Sequence, residues 1–332
     1  MKKLNVNYAA LANNHIMDYG LASLINTKRI LDENGIESFG AGKTYSEAYK
    51  PLIISKDNEK ICIINACQAE FGVVKNEYVC VGGYAWINAS VLKQRIKENL
   101  TVCDKVILFL HAGMEEQIIP LPEWKSIYHE FAGMIGHRGA IIATHPHIVQ
   151  GYEIYNATPI FYSLGNFSFY KEELKDNIEW NRGLVVLYDT LMNEIKEIPV
   201  STKDKLLDID DSNDFKKDIE YRCSLVKNDD RLNEIADKIA EISWNDFYKS
   251  YYQSVTKTRN IESYSGWKLI KILIKKFLNK LFRTNFNIVF GEDFDETMLL
   301  HNIQIESHRF CVERYLYNKY MKRIVFAEGA ER

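Results

Sequence analysis

Four of the eight histidines in this chain close apolar runs: His15 in LANNH, His111 in VILFLHAG, and His145 and His147 in IIATHPH. Imidazole nitrogens suit Zn, Fe, Mn and related ions, and an amide carbonyl such as that of Asn14 adds a harder oxygen donor. Polar groups at the carboxyl ends of strands gather at one edge of an open α/β sheet. Three such ends carrying histidine and asparagine therefore suggest one transition-metal site. In extended backbone, residues i and i+2 point the same way, so His145 and His147 are expected to converge on one point. For any one of them taken alone, a capped or solvated polar residue is the plainer explanation. The repeated context favours the shared site. His129, His137, His301 and His308 lie in helical patterns and read as surface or partly buried helix positions.

A second polar group follows the HPH turn. Gln150, Ser163 and Asn166 have the chemistry to orient metal ligands or to hold a substrate oxyanion. Ser, Gly and Asn are also what turns prefer, and spacing alone favours the turn. GAGKT (40–44) lacks the full spacing of a phosphate-binding loop and reads as a strand-to-helix turn.

The elements that must position these residues alternate. Strand-like runs are expected at 6–11, 51–55, 61–66, 105–110, 140–144, 159–162 and 183–187, with helical patterns at 21–34, 88–99 and 123–137. This is the pattern of an α/β layered fold. VILFL (106–110) reads as a central strand buried on both faces. From residue 201 onward glycine becomes scarce and charge dense. The expected organisation is thus a strand-and-helix domain over 1–200 and a helical appendage over 201–332, with helical patterns at 229–242, 267–282 and 297–320.

Composition is that of a globular protein, with 46% hydrophobic and 26% charged residues. It excludes a disordered chain, a collagen-like repeat and a coiled-coil rod. The net charge of −3 gives no argument for nucleic acid as a partner. The six cysteines include no CxxC pair and read as buried thiols. No apolar h-region and no run of 18 apolar residues is present, so neither a signal peptide nor a membrane span is expected within these residues. Localisation stays unassigned. The segment Trp267–Arg283 carries six basic and no acidic residues, with Ile270, Ile274, Phe277 and Leu281 at helical spacing. It reads first as a helix with a solvated basic face, and second as an interfacial helix on an anionic membrane.

The motifs LANNHIMDYG (11–20), GAGKTYSEAYKP (40–51), HAGMEEQIIPLP (111–122), ATHPHIVQGYEIY (143–155) and PIFYSLGNFSF (159–169), in that order, closely resemble the bacterial CapA-type capsule synthesis family, which serves poly-γ-glutamate biosynthesis. The resemblance covers roughly residues 4–190. It implies a fold similar to calcineurin-like metallophosphoesterases, a β-sandwich flanked by helices with a dinuclear centre of Mn, Fe or Zn at strand ends. By that resemblance Asn14, His111 and His145 match ligands of one metal and His147 a ligand of the other. His15 matches the general acid that protonates the leaving group. Asp18 either orients His15 or caps the following helix, and Glu115 falls where the family often has Glu after HxG. The implied reaction is a two-metal phosphoester hydrolysis on a cell-surface polymer or its phosphorylated intermediate, with other capsule-synthesis proteins as partners. A non-catalytic assembly component and an inactive fragment are the alternatives. Family members begin with a strand ending in Gly-Asp, and no Gly-Asp precedes LANNH here. The expectation is therefore a chain lacking that strand and its carboxylate ligands, whether truncated, started late or degenerate, with one ion or none and uncertain activity.

Overall fold

The computed structural model describes residues 4–78, 82–250, 252 and 303–329, with side chains to residue 320. The basic segment 267–283, Cys80 and His301 lie outside the described residues.

The first half alternates strand and helix. Strand β1 (Tyr8–Ala10) leads through the LANNH turn into α1 (Gly20–Glu33). Strands β2 (Glu37–Phe39) and β3 (Ala41–Gly42) precede the short α2 (Tyr45–Ala48). Next come the hairpin β4 (Leu52–Lys56) and β5 (Glu59–Cys67), and the short strands β6 (Val73–Val74) and β7 (Gly83–Ala85). Helices α3 (Ser90–Val102) and α4 (Pro122–Ile135) flank β8 (Lys105–His111). Strand β9 (Gly139–Thr144) then leads to the hairpin β10 (Tyr152–Tyr155) and β11 (Thr158–Phe161). Strands β12 (Arg182–Asp189), β13 (Glu194–Lys203) and β14 (Leu206–Ile209) form a meander, followed by α5 (Asn213–Val226), α6 (Asp229–Ser243) and α7 (Glu306–Gly329).

The main sheet has six strands in the order β10-β11-β9-β8-β5-β4. Its inner strands β11, β9, β8 and β5 run parallel, and each edge is an antiparallel hairpin partner. Helix crossovers explain the parallel middle, because parallel neighbours need a long return connection. Strand β8 is central, as VILFL predicts. Only one of its faces is fully buried, through Val106, Leu108 and Leu110, while Ile107 and Phe109 keep some exposure. Leu92 and Ile96 of α3 and Trp124 and Phe131 of α4 are all buried. Each such side chain contributes roughly 1.5–3 kcal/mol. Smaller sheets β1-β2, β3-β7-β6 and β12-β13-β14 complete this mixed, layered α/β architecture.

Two compact units divide the chain, Met1–Ile235 and Ala236–Arg332. Residue 200, where composition changes, lies inside β13, which pairs along its whole length with β12. The charged residues there lie on exposed positions of a meander, so the composition shift does not coincide with the end of the first unit. Helix α5 also belongs to that unit: Phe215, Ile219 and Cys223 share an apolar cluster with Val149, Phe161 and Leu184. Arg182 pairs with Asp210, Asp214 and Asp218. Within the second unit, Trp244 stacks on Tyr315 and Arg314 bonds Asp237 at 2.9 Å. The five described cysteines are buried thiols. Among the described residues no helix is long and apolar enough to cross a membrane.

Candidate metal site at the strand ends

Register aligns the ends of the parallel strands. Cys67 of β5 pairs with His111 of β8, and His111 with Thr144 of β9. The residues that follow each pair therefore emerge in one row. The β1 end joins them through Asn65, a buried residue of β5. Its Oδ1 accepts from Ala12 N at 2.7 Å and its Nδ2 donates to Phe109 O at 2.7 Å. One amide thus ties the LANNH turn to the two central strands. Asn13 shapes the turn, with Oδ1 accepting from His15 N at 3.0 Å. Gly113, at φ 136, makes the turn after His111, and a Cβ there would sit 2.7 Å from Pro146.

This arrangement brings Asn14, His111 and His145 together. Asn14 Oδ1 lies 3.1 Å from His111 Nε2, and His145 Nδ1 lies 3.2 Å from the same nitrogen. Hydrogen bonding sets the ring states. Gly113 N donates to Gln68 Oε1, so Gln68 Nε2 is the donor towards Glu70 Oε1 at 2.7 Å and His145 Nε2 at 2.9 Å. His145 then carries its proton on Nδ1 and donates to His111 Nε2. His111 carries its own on Nδ1, facing Thr144 Oγ1 at 3.1 Å. Asn14 Nδ2 donates to Glu70 Oε2 at 3.2 Å, which leaves Asn14 Oδ1 pointing at His111 Nε2. Two acceptors therefore face each other at the centre, an arrangement that a cation between them resolves. These donors fit a single divalent ion. Among the described residues, no group of three or more His, Cys, Asp or Glu is placed to hold a metal, so the fit depends on the asparagine oxygen.

Charge in the pocket follows from burial. Burial, helped by His147 and His15, pushes the His111 ring down to about 3. The ring keeps some contact with water, which moderates that shift. Burial raises the Glu70 carboxyl, opposed by its bonds from Gln68 and Asn14, while Glu115 raises it further.

The HPH turn departs from expectation. Strand β9 ends at Thr144, and His145 and His147 adopt φ of 108° and 63°. Such backbone is sparsely populated and costs of order 1–3 kcal/mol per residue. The backbone is no longer extended, so the two rings do not converge on one point: their centroids are 6.4 Å apart. His147 Nδ1 bonds Asn166 Oδ1 at 3.0 Å, and its ring stacks on Trp180 at 4.6 Å and Phe169 at 5.1 Å. Asn166 in turn donates to Trp180 O. His147 is thus a donor apart from the three-residue cluster, with Nε2 as its lone-pair atom.

The remaining sequence candidates separate by place. His15 is exposed beside Asn14, its Nδ1 2.9 Å from Asp18 Oδ2. Helix α1 is capped by Tyr19 without a side-chain bond, so Asp18 engages His15 and not the helix. Glu115 is exposed on the loop after β8. Gln150 is buried with Nε2 on Gln117 O and Ile119 O, where it pins that loop. Buried Ser163 accepts from Gly165 N in a turn. Sequence reasoning missed Asn65, Gln68 and Glu70. The signal was available, because ICIINACQAE is a fourth apolar run ending in polar residues.

Residues 1–171 match the family described as bacterial capsule synthesis protein PGA_cap. The chain belongs to this family. Among curated relatives, the PGA biosynthesis protein CapA of Bacillus subtilis is 29% identical over 175 residues, covering 51% of this chain and 44% of that protein. The capsule biosynthesis protein CapA of Bacillus anthracis is 27% identical over 166 residues, covering 48% and 39%. The chain thus spans less than half the length of either relative. Among solved structures, the calcineurin-like phosphoesterase YfkN from Bacillus subtilis superposes with a TM-score of 0.34 at 15% identity, over 69% of this chain and 74% of that one.

Proposed function

We propose that this PGA_cap member works in the synthesis of a capsule or related exopolymer, poly-γ-glutamate or polysaccharide, as a metal-dependent hydrolase of phosphoester type. One observation carries the reading: Asn14 Oδ1, His111 Nε2 and His145 Nδ1 converge within 3.2 Å, inside the family-matched region. The substrate class is a cell-surface polymer or its phosphorylated intermediate, and capsule-synthesis proteins are the proposed partners. Asn14, His111 and His145 would hold one ion of Mn, Fe or Zn type, and His147 would offer a separate donor. When bound, such an ion activates a water near neutral pH and polarises a phosphoryl oxygen. His15 holds its ring through Asp18, so that Nε2, when protonated, is the atom able to donate to a leaving oxygen. Glu115, exposed by the same pocket, is the proposed substrate contact.

Metal analysis with hydrolysis of a generic phosphodiester in Mn²⁺ tests this. Bound metal and turnover that both disappear in His111→Ala and His145→Ala support the enzyme. Metal without turnover supports the alternative, a non-catalytic assembly component. Neither, in a folded protein, overturns the metal reading.

A further inference from the structure

The buried pair Gln68 and Glu70 stands behind His145 and controls which of its nitrogens faces the centre. This rests on the single-ion reading above. As the bonds stand, Gln68 Nε2 donates to His145 Nε2 at 2.9 Å, which keeps the ring proton on Nδ1, the nitrogen that faces His111. A ring in that state cannot ligate through Nδ1. Ligation requires the Nδ1 proton to leave and Nε2 to carry one, the two exchanging through solvent. The Nε2 proton then needs an acceptor. Gln68 Oε1 is taken by Gly113 N, and the Glu70 carboxylate oxygen lies 3.7 Å from His145 Nε2, within an ion-pair distance. A metal-binding histidine commonly donates its outer N–H to a carboxylate, which fixes its tautomer and raises its basicity.

We propose that Glu70 is the positioning residue that commits His145 to its ligating tautomer, and that Gln68 holds the opposite tautomer when the centre is empty of metal. Glu70 acts on a second donor at the same time. Its other oxygen takes Asn14 Nδ2 at 3.2 Å, which turns Asn14 Oδ1 inward. One carboxylate, 9% exposed and carried by the loop after β5, therefore orients two of the three donors. The geometry also assigns it an indirect part: both its oxygens are engaged with Asn14, Gln68 and His145, so it supports the donors and does not join them.

The test combines Zn²⁺ titration calorimetry with ¹⁵N spectra of the histidine rings, on wild type, Glu70→Gln, Glu70→Asp and His145→Ala. In wild type, His145 is expected to show Nδ1–H without metal and Nε2–H with Zn²⁺. Glu70→Gln should weaken Zn²⁺ binding about 10–100-fold, and Glu70→Asp should recover part of it. A merely structural Glu70 would leave the ring tautomer unchanged by metal. Wild-type His145 that keeps Nδ1–H in saturating Zn²⁺, or folded Glu70→Gln that binds as tightly as wild type, overturns the proposal. If His145→Ala binds Zn²⁺ as well as wild type does, the metal site itself is wrong, which is a different failure. The wild-type spectra decide the question even where a variant folds poorly.

Discussion

Asn14 Oδ1 faces His111 Nε2 at 3.1 Å across 97 residues of sequence, acceptor to acceptor. Asn14 is held in that orientation by its Nδ2 bond to Glu70, and His111 by Thr144. Truncating Asn14 to Ala removes the only oxygen of the three-donor set. We expect Asn14→Ala to lower divalent-metal affinity at least tenfold, about 1.4 kcal/mol, with little change in melting temperature, as read by calorimetry and thermal melts. Unchanged affinity in a folded variant would exclude Asn14 as a ligand.

Acid should destabilise the metal-free protein through His111. Its folded-state pKa is depressed to about 3 from an ordinary 6.5, chiefly by burial. Between those values the unfolded chain binds a proton that the folded chain does not, so stability is full above about 6.5 and falls as pH drops towards 3. Melts in EDTA over this window should decline less steeply for His111→Asn than for wild type, by under about 1.4 kcal/mol per pH unit. Parallel slopes would remove His111 as the cause.

The His15–Asp18 pair should matter to turnover and not to stability. Its side chains are 69% and 45% exposed, and such pairs contribute about 0–1 kcal/mol. If His15 is the general acid, His15→Ala should reduce kcat about 10²–10⁴-fold. Asp18→Asn should reduce it by less and flatten the acid limb of the pH–rate profile. Equal turnover in all three proteins would assign the acid elsewhere.

Asn65 is expected to be the costliest polar position near the site. Asn65→Ala leaves Ala12 N and Phe109 O without their side-chain partner, at about 1–3 kcal/mol each. Gly40→Ala should act on the same bond, because a Cβ there would fall 2.0 Å from Asn65 Oδ1 at a φ of 89°. Urea melts check both. A Gly40→Ala protein as stable as wild type would show that the LANNH turn is not held this way.

Away from the site, Lys125 of α4 is buried and donates to Val226 O at 2.7 Å and Asp229 Oδ1 at 2.6 Å, while Glu153 takes bonds from His129 and Tyr162. Burial would raise the Glu153 carboxyl, but those bonds and the Lys125 charge outweigh it and hold it below the usual range. Removing the cation leaves Glu153 buried with less compensation. Lys125→Met should therefore cost about 3 kcal/mol in denaturant melts, and a neutral result would mean that Glu153 is satisfied without it.

Several elements are legible in the residue pattern by itself. The run at 105–110 is β8, the pattern at 123–137 is α4 at 122–135, and the alternation of strand and helix is the layered α/β fold. Strong periodicity and nearby stop signals make these local decisions. The short strands β2, β3, β6 and β7 are not legible, because two or three residues carry no periodicity and pair only through distant partners. The composition change at residue 200 misleads for a related reason: a solvated meander and a new unit look alike when only residue type is read.

In the site, residue types and order alone identified Asn14, His15, His111 and His145, because polar residues ending apolar strands form a local pattern. What only the tertiary structure decided is which donors meet. Strand register placed Cys67, His111 and Thr144 in one row, and the 68–70 loop carried Gln68 and Glu70 in behind His145. Positive φ at residues 145 and 147 turned two neighbouring histidines apart, towards Asn14 and towards Trp180. Backbone dihedrals and interstrand register depend on contacts with residues far along the chain. Spacing in the sequence names the donors, and only packing orients them.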